Sequence, residues 1–163
     1  MNVYGITGWK DMGKTTLMER VVAEMTGRGL TVSTIKHAHH DTDIDQPGRD
    51  SHRHREAGAY QVLLSSPRRW AVMTELRGAP EPTLSSQLAH LAPVDLVLIE
   101  GYKRDPHPKI EAYRSVGGKP PLAERNDTVR AVASDVDLAL HVPVLPLNDT
   151  TAIADFILSE VGL

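Results

Sequence analysis

Residues Gly8 to Thr15 read Gly-Trp-Lys-Asp-Met-Gly-Lys-Thr, a complete G-x-x-x-x-G-K-[ST] phosphate loop. Such a loop works only between a buried strand and the N-terminus of a helix, so it constrains the fold before anything else is considered. The flanks comply. Asn2 to Thr7 is short and rich in β-branched and aromatic residues, as a buried strand requires. After the loop, Leu17, Met18, Val21, Val22 and Met25 fall on one face of a helix that Gly27 and Gly29 bring to a stop. A turn of this composition presents backbone N–H groups without Cβ obstruction, so Gly8, Trp9, Lys10, Asp11, Met12 and Gly13 are expected to wrap a polyphosphate. Lys14 is expected to reach the β- and γ-phosphates, and Thr15 to offer its hydroxyl to Mg²⁺.

The rest of the chain reads as strands alternating with helices. Thr31–Lys36 is a second strand, Asp50–Ala57 a short helix, and Tyr60–Leu64 with Trp70–Glu75 a hairpin. Thr83–Leu91 is a helix capped by Thr83, and Val94–Glu100 a central buried strand. Lys109–Arg114, Thr128–Ala133 and Val142–Leu147 are further strands, and Thr151–Val161 is a closing helix capped by Asn148 or Asp149. This order predicts a three-layer α/β sandwich of the P-loop NTPase type, with a mostly parallel sheet and an additional β-hairpin. At 163 residues it predicts one nucleotide-binding domain, with ligands at the carboxyl ends of the strands. The core must be aliphatic, since 40 % of residues are hydrophobic and only 4 % aromatic.

Composition narrows the function classes. There is no cysteine, which removes thiolate metal sites and disulfides and points to a reducing, cytoplasmic setting. No apolar run is long enough for a bilayer, no signal-like segment opens the chain, and a net charge of −3 speaks against coating nucleic acid. The hairpin leaves an edge that invites a second copy, so a homodimer is expected.

Three polar clusters accompany the loop. Glu100 ends the run Leu96-Val-Leu-Ile99, where a Walker-B acid would support the metal, or else is a carboxylate that merely leaves the core. His37-Ala-His-His-Asp-Thr-Asp-Ile-Asp45, with His52 and His54, gathers five of eight histidines. It reads as a solvated loop in which Asp41 or Asp43 contacts phosphate, Mg²⁺ or the attacking water, or else as a Zn²⁺ or Ni²⁺ site. In Glu100-Gly-Tyr-Lys-Arg-Asp-Pro-His-Pro-Lys-Ile-Glu111, Lys103 and Lys109 are either an anion site or solvated lysines.

In this order the phosphate loop, Ile-Lys-His-Ala-His-His, Asp-Ile-Asp-Gln-Pro-Gly-Arg-Asp-Ser-His-Arg, Val-Leu-Ile-Glu-Gly-Tyr-Lys and Pro-Lys-Ile-Glu-Ala-Tyr-Arg resemble the molybdopterin-guanine dinucleotide biosynthesis protein B family, MobB, over nearly the whole chain. The resemblance implies a GTP-binding, weakly hydrolysing dimer that assists attachment of GMP to molybdopterin, with the guanylyltransferase MobA as partner. It implies that Gly13, Lys14, Thr15 and Thr16 hold phosphate and magnesium, and that Glu100 supports the metal. The Asp50–Arg53 segment, Lys103 and Lys109 would line a groove for an anionic ligand, and molybdopterin or its guanine dinucleotide would be a partner of the chain. Two departures stand out: Trp9-Lys-Asp-Met12 is bulky for such a loop and leaves the role of Lys10 open, and no Asn-Lys-x-Asp sequence reads guanine. Asp135 is the candidate for that task, with Asn148-Asp149 next. A nickel or cobalt metallochaperone GTPase, a small-molecule kinase and a non-enzymatic adaptor are the rival readings.

Overall fold

The computed structural model describes residues 1–38 and 43–163. The chain forms two compact units, one of residues 1–38 and 92–163 and the other running from 39 to 91. In chain order the elements are β1 (Asn2–Thr7), α1 (Lys14–Gly27), β2 (Val32–Lys36), α2 (Asp50–Glu56), β3 (Gln61–Ser65), β4 (Trp70–Thr74), α3 (Leu84–Leu88), β5 (Leu96–Glu100), β6 (Lys109–Tyr113), β7 (Val129–Ser134), β8 (Val144–Pro146) and α4 (Thr150–Val161). Two 3₁₀ turns, Ser115–Gly117 and Leu122–Glu124, lie between β6 and β7.

The first unit is a six-stranded sheet in the order β2-β5-β1-β6-β7-β8, with every pair parallel. Alternation along each strand sorts the side chains. Tyr4, Ile6, Leu96, Leu98, Ile110, Ala112, Ala131 and Ala133 pack with Leu17, Val21 and Met25 of α1 and Ile153, Ala154 and Ile157 of α4. Asp149 caps α4 by accepting from Ala152 N, which settles the choice between the two expected caps. The other set of strand positions is more polar. Lys109 and Glu111 are completely buried there, and the cover is irregular chain carrying Ala123 rather than a long helix. Gly5 has no Cβ, and that leaves room for His107, whose Nε2 lies 2.6 Å from where a Cβ would stand.

The second unit holds the antiparallel β3–β4 hairpin, with Leu63 opposite Val72 and Ser65 opposite Trp70. Arg55, 12 % exposed at its side chain, ties this unit together through Asp43, Asp45 and Glu75. Thr83 caps α3 through Ser86 N as expected, although that helix is only five residues long.

Candidate functional site

The parallel order brings the C-terminal ends of β1, β5 and β6 to one edge, and the phosphate loop leaves β1 there. Gly8 has φ 144°, and a Cβ on it would stand 2.5 Å from the Ala112 carbonyl oxygen, so glycine alone lets the loop pass this close to β6. Gly13 has φ 82° and starts α1, whose first residues are Lys14 and Thr15. The free N–H groups and positive dipole end of a 14-residue helix therefore open onto the loop.

Lys14 bends back to donate from Nζ to the Trp9 carbonyl at 2.6 Å. Burial lowers its pKa, and the positive charge of Lys103 adds to the effect. The Thr15 hydroxyl donates to Glu100, 3.2 Å from Oε1 and 3.4 Å from Oε2. Lys36 Nζ lies 3.9 Å from Oε1 of the same carboxylate, whose side chain is 12 % exposed. Glu100 is thus the acid beside the helix N-terminus, as its place at the end of β5 implied. A hydroxyl and a carboxylate in contact are the hard oxygen donors that Mg²⁺ takes, so the residues present fit that ion. Thr16 is exposed on the first turn of α1.

The bulk inside the loop has a structural explanation. Trp9 Nε1 donates to the Pro120 carbonyl at 2.9 Å, and the ammonium groups of Lys103 and Lys119 lie 4.8 and 4.9 Å from its ring centroid. Met12 is buried against Gly117. Lys10 and Asp11 are exposed. The stretch from Arg114 to Pro121 therefore fastens onto the phosphate loop. It is itself anchored at both ends, by Asp135 Oδ1 accepting from Ser115 N at 2.8 Å and by Glu111 accepting from Leu122 N and Ala123 N at 2.9 and 3.0 Å. Burial raises the pKa of Glu111.

Several expected site residues have other local partners. Lys109 does not line an open groove: it is completely buried, and its ammonium donates to the Asp105 carbonyl at 2.6 Å and to Thr128 Oγ1 at 2.9 Å. Burial lowers its pKa to about 8. Asp43 does not present a free carboxylate, because Arg55 Nη2 takes both of its oxygens at 3.0 and 2.8 Å. Asp41 lies outside the described residues, as do His39 and His40. Asp50 and Arg53 form an exposed pair 3.9 Å apart on α2, in the second unit. His37 stacks on Tyr102 with centroids 4.5 Å apart. Among the described residues no three His, Cys, Asp or Glu side chains converge as metal ligands would. Sequence reasoning missed Arg114, whose guanidinium lies against Gly13; the signal was its place just after β6, at the edge where the loop sits.

Residues 3–135 match the family described as molybdopterin guanine dinucleotide synthesis protein B. The chain is 44 % identical over 156 residues to the molybdopterin-guanine dinucleotide biosynthesis adapter protein of Haemophilus influenzae, covering 94 % of this chain and 85 % of that one. It is 40 % identical over 154 residues to the Escherichia coli adapter protein, with 91 % and 87 % covered. A MobB homologue from Bacillus stearothermophilus has a similar solved structure, with a TM-score of 0.74 at 30 % identity over 99 % of both chains. The chain therefore belongs to the MobB family, and its sheet, phosphate loop and hairpin are that family's P-loop NTPase fold.

Proposed function

We propose that this protein is an adapter in molybdopterin-guanine dinucleotide biosynthesis that binds GTP with Mg²⁺ at residues 8–16 and hydrolyses it slowly. The observation that carries the reading is the contact between Thr15 and Glu100 at the N-terminus of α1. Thr15 and Glu100 would hold the ion, whose positive charge would offset that of the triphosphate. Lys14 leaves the Trp9 carbonyl to meet the phosphates, exchanging a neutral acceptor for an anionic one. Slow turnover is in keeping with a first unit that holds no glutamine of its own to orient water, Gln46, Gln61 and Gln87 all belonging to the second.

The adapter role is supported by the printed names of the Haemophilus and Escherichia relatives. Its partner is the guanylyltransferase MobA, with molybdopterin or its guanine dinucleotide as the shared ligand, in the cytoplasm. Pairing of two copies is supported by the hairpin, where Leu63 is 63 % and Trp70 69 % exposed on strands that have one partner each. No helix of the described residues is long and apolar enough to cross a membrane.

Titration with GTP, ATP and GDP, with and without Mg²⁺, tests the site, and single-turnover hydrolysis with and without MobA tests the role. Micromolar, Mg²⁺-dependent GTP binding is expected, with turnover that changes when MobA is added. Equal binding of a Lys14→Ala variant and the unaltered protein would refute the site.

A further inference from the structure

Arg114 follows β6, directly beside the strand from which the phosphate loop departs. A Cβ built on Gly13 would lie 3.0 Å from Arg114 Nε and 3.3 Å from Nη2, so the guanidinium rests against the last glycine before Lys14. It is half-buried, and no carboxylate, carbonyl or hydroxyl among the described residues accepts from its side chain. Two other half-buried arginines have partners: Arg55 meets three acidic side chains, and Arg20 Nη2 donates to the Leu147 carbonyl at 2.7 Å. A partly desolvated guanidinium without an anion is costly unless a ligand supplies one.

Its backbone is held in place. Ser115 N donates to Asp135, Gly117 N donates to the Arg114 carbonyl at 3.1 Å, and Gly117 and Pro120 grip Met12 and Trp9 of the loop itself. Placement of the loop and placement of Arg114 are therefore one structural fact. A planar guanidinium matches phosphate oxygens in pairs, which an ammonium cannot do.

We infer that Arg114 is a phosphate-binding residue of the nucleotide site, reaching the polyphosphate from the β6 side of the loop, opposite the β5 side that carries Glu100. This rests on the nucleotide reading above and adds to it a fixed cation supplied by the same chain. Arg114 thereby makes nucleotide binding sensitive to the Arg114–Pro121 segment.

The test compares the unaltered protein with Arg114→Gln and Arg114→Lys, using GTP, GDP and guanosine as probes and thermal unfolding as the control for folding. Arg114→Gln keeps the aliphatic stem and a polar tip but removes the guanidinium that rests on Gly13, and thermal unfolding controls for that lost contact. It is expected to bind GTP and GDP about tenfold more weakly, the effect of one lost charge-assisted contact. The expected salt dependence of GTP binding is also reduced, guanosine binding is unchanged, and Arg114→Lys recovers part of the loss. Arg114→Gln with unaltered GTP affinity and salt dependence would overturn the inference alone. A folded, unaltered protein that binds no GTP would overturn the nucleotide reading and this inference together. Equal loss for guanosine and GTP would mean that Arg114 only supports the loop, and would overturn its contact with phosphate.

Discussion

The Thr15 hydroxyl and the Glu100 carboxylate meet at 3.2 Å although 85 residues separate them. The contact exists because β1 and β5 are parallel neighbours in register, with Ile6 opposite Glu100, so the loop after β1 and the end of β5 share one edge. In the function proposed above, a divalent cation and a triphosphate would come together there.

Glu100→Gln preserves the shape and the hydrogen bond from Thr15 but removes the charge. GTP affinity in Mg²⁺ should fall about tenfold, while affinity in EDTA stays as it was. Isothermal titration in both buffers measures this. Equal losses in the two would show that the carboxylate shapes the loop and takes no part with the ion.

Trp9 is pinned by Pro120 and flanked by Lys103 and Lys119. Trp9→Ala should lower stability by about 3 kcal/mol, the usual cost of removing a half-buried aromatic with its hydrogen bond. That is a drop of roughly 10 °C in Tm for a chain of this size. In a Trp70→Phe background Trp9 becomes the sole tryptophan. Its emission should then shift on addition of GTP, and an unresponsive signal would mean that the loop does not rearrange around a ligand.

The regular frame was legible from periodicity. The faces of α1 and α4, the succession of strands along the chain and the hairpin follow from side-chain spacing, the Thr83 cap from its residue type, and Glu100 from its place at the end of an apolar run. What spacing hides is which polar residue goes inside. Lys109 occupies an ordinary strand position, yet its alternation places it on the buried face with only a carbonyl and a hydroxyl for company. Asp43 and Arg55 lie 12 residues apart across a turn that no local pattern specifies. Trp9 and Met12 look anomalous until Gly117 and Pro120 are brought to them from more than a hundred residues away. These are long-range pairings of irregular chain, and no periodicity encodes them.

Gly5 sits in mid-strand with His107 Nε2 and Lys109 Cβ 2.6 and 2.8 Å from the site of a missing Cβ. Gly5→Ala should therefore cost about 2 kcal/mol or more through overpacking, even though alanine suits a strand better than glycine. Urea unfolding reads the loss. An unchanged midpoint would require the His107 ring to move aside freely.

His107 is half-buried, with both ring nitrogens buried and unbonded, and burial lowers its pKa to about 4. The nearby charge of Lys109 acts in the same direction and Asp105 opposes it. The folded value lies below the ordinary 6.5. Between those two values the unfolded chain binds more protons, so stability rises with pH there and falls as acid is added. His107→Gln removes this contribution, so the variant should lose less stability than the unaltered protein between pH 7 and pH 5. Parallel slopes in urea unfolding at several pH values would contradict it.

Asp135 is exposed just after β7, and one of its oxygens already accepts from Ser115 N. β7 is two strands from β1, a lateral distance of about 10 Å at ordinary strand spacing, comparable with the span from a polyphosphate to its base. The proposed role of Asp135 in reading guanine would leave Oδ1 on Ser115 N and give Oδ2 to the N1 and N2 donors of the base. Asp135→Asn keeps an oxygen for Ser115 but exchanges the second acceptor for a donor, which guanine repels and adenine tolerates. GTP affinity should drop about tenfold with little change for ATP, as loss of a paired acceptor implies. Competition titrations with both nucleotides decide the matter, because a residue that only caps Ser115 would leave their ratio where it was.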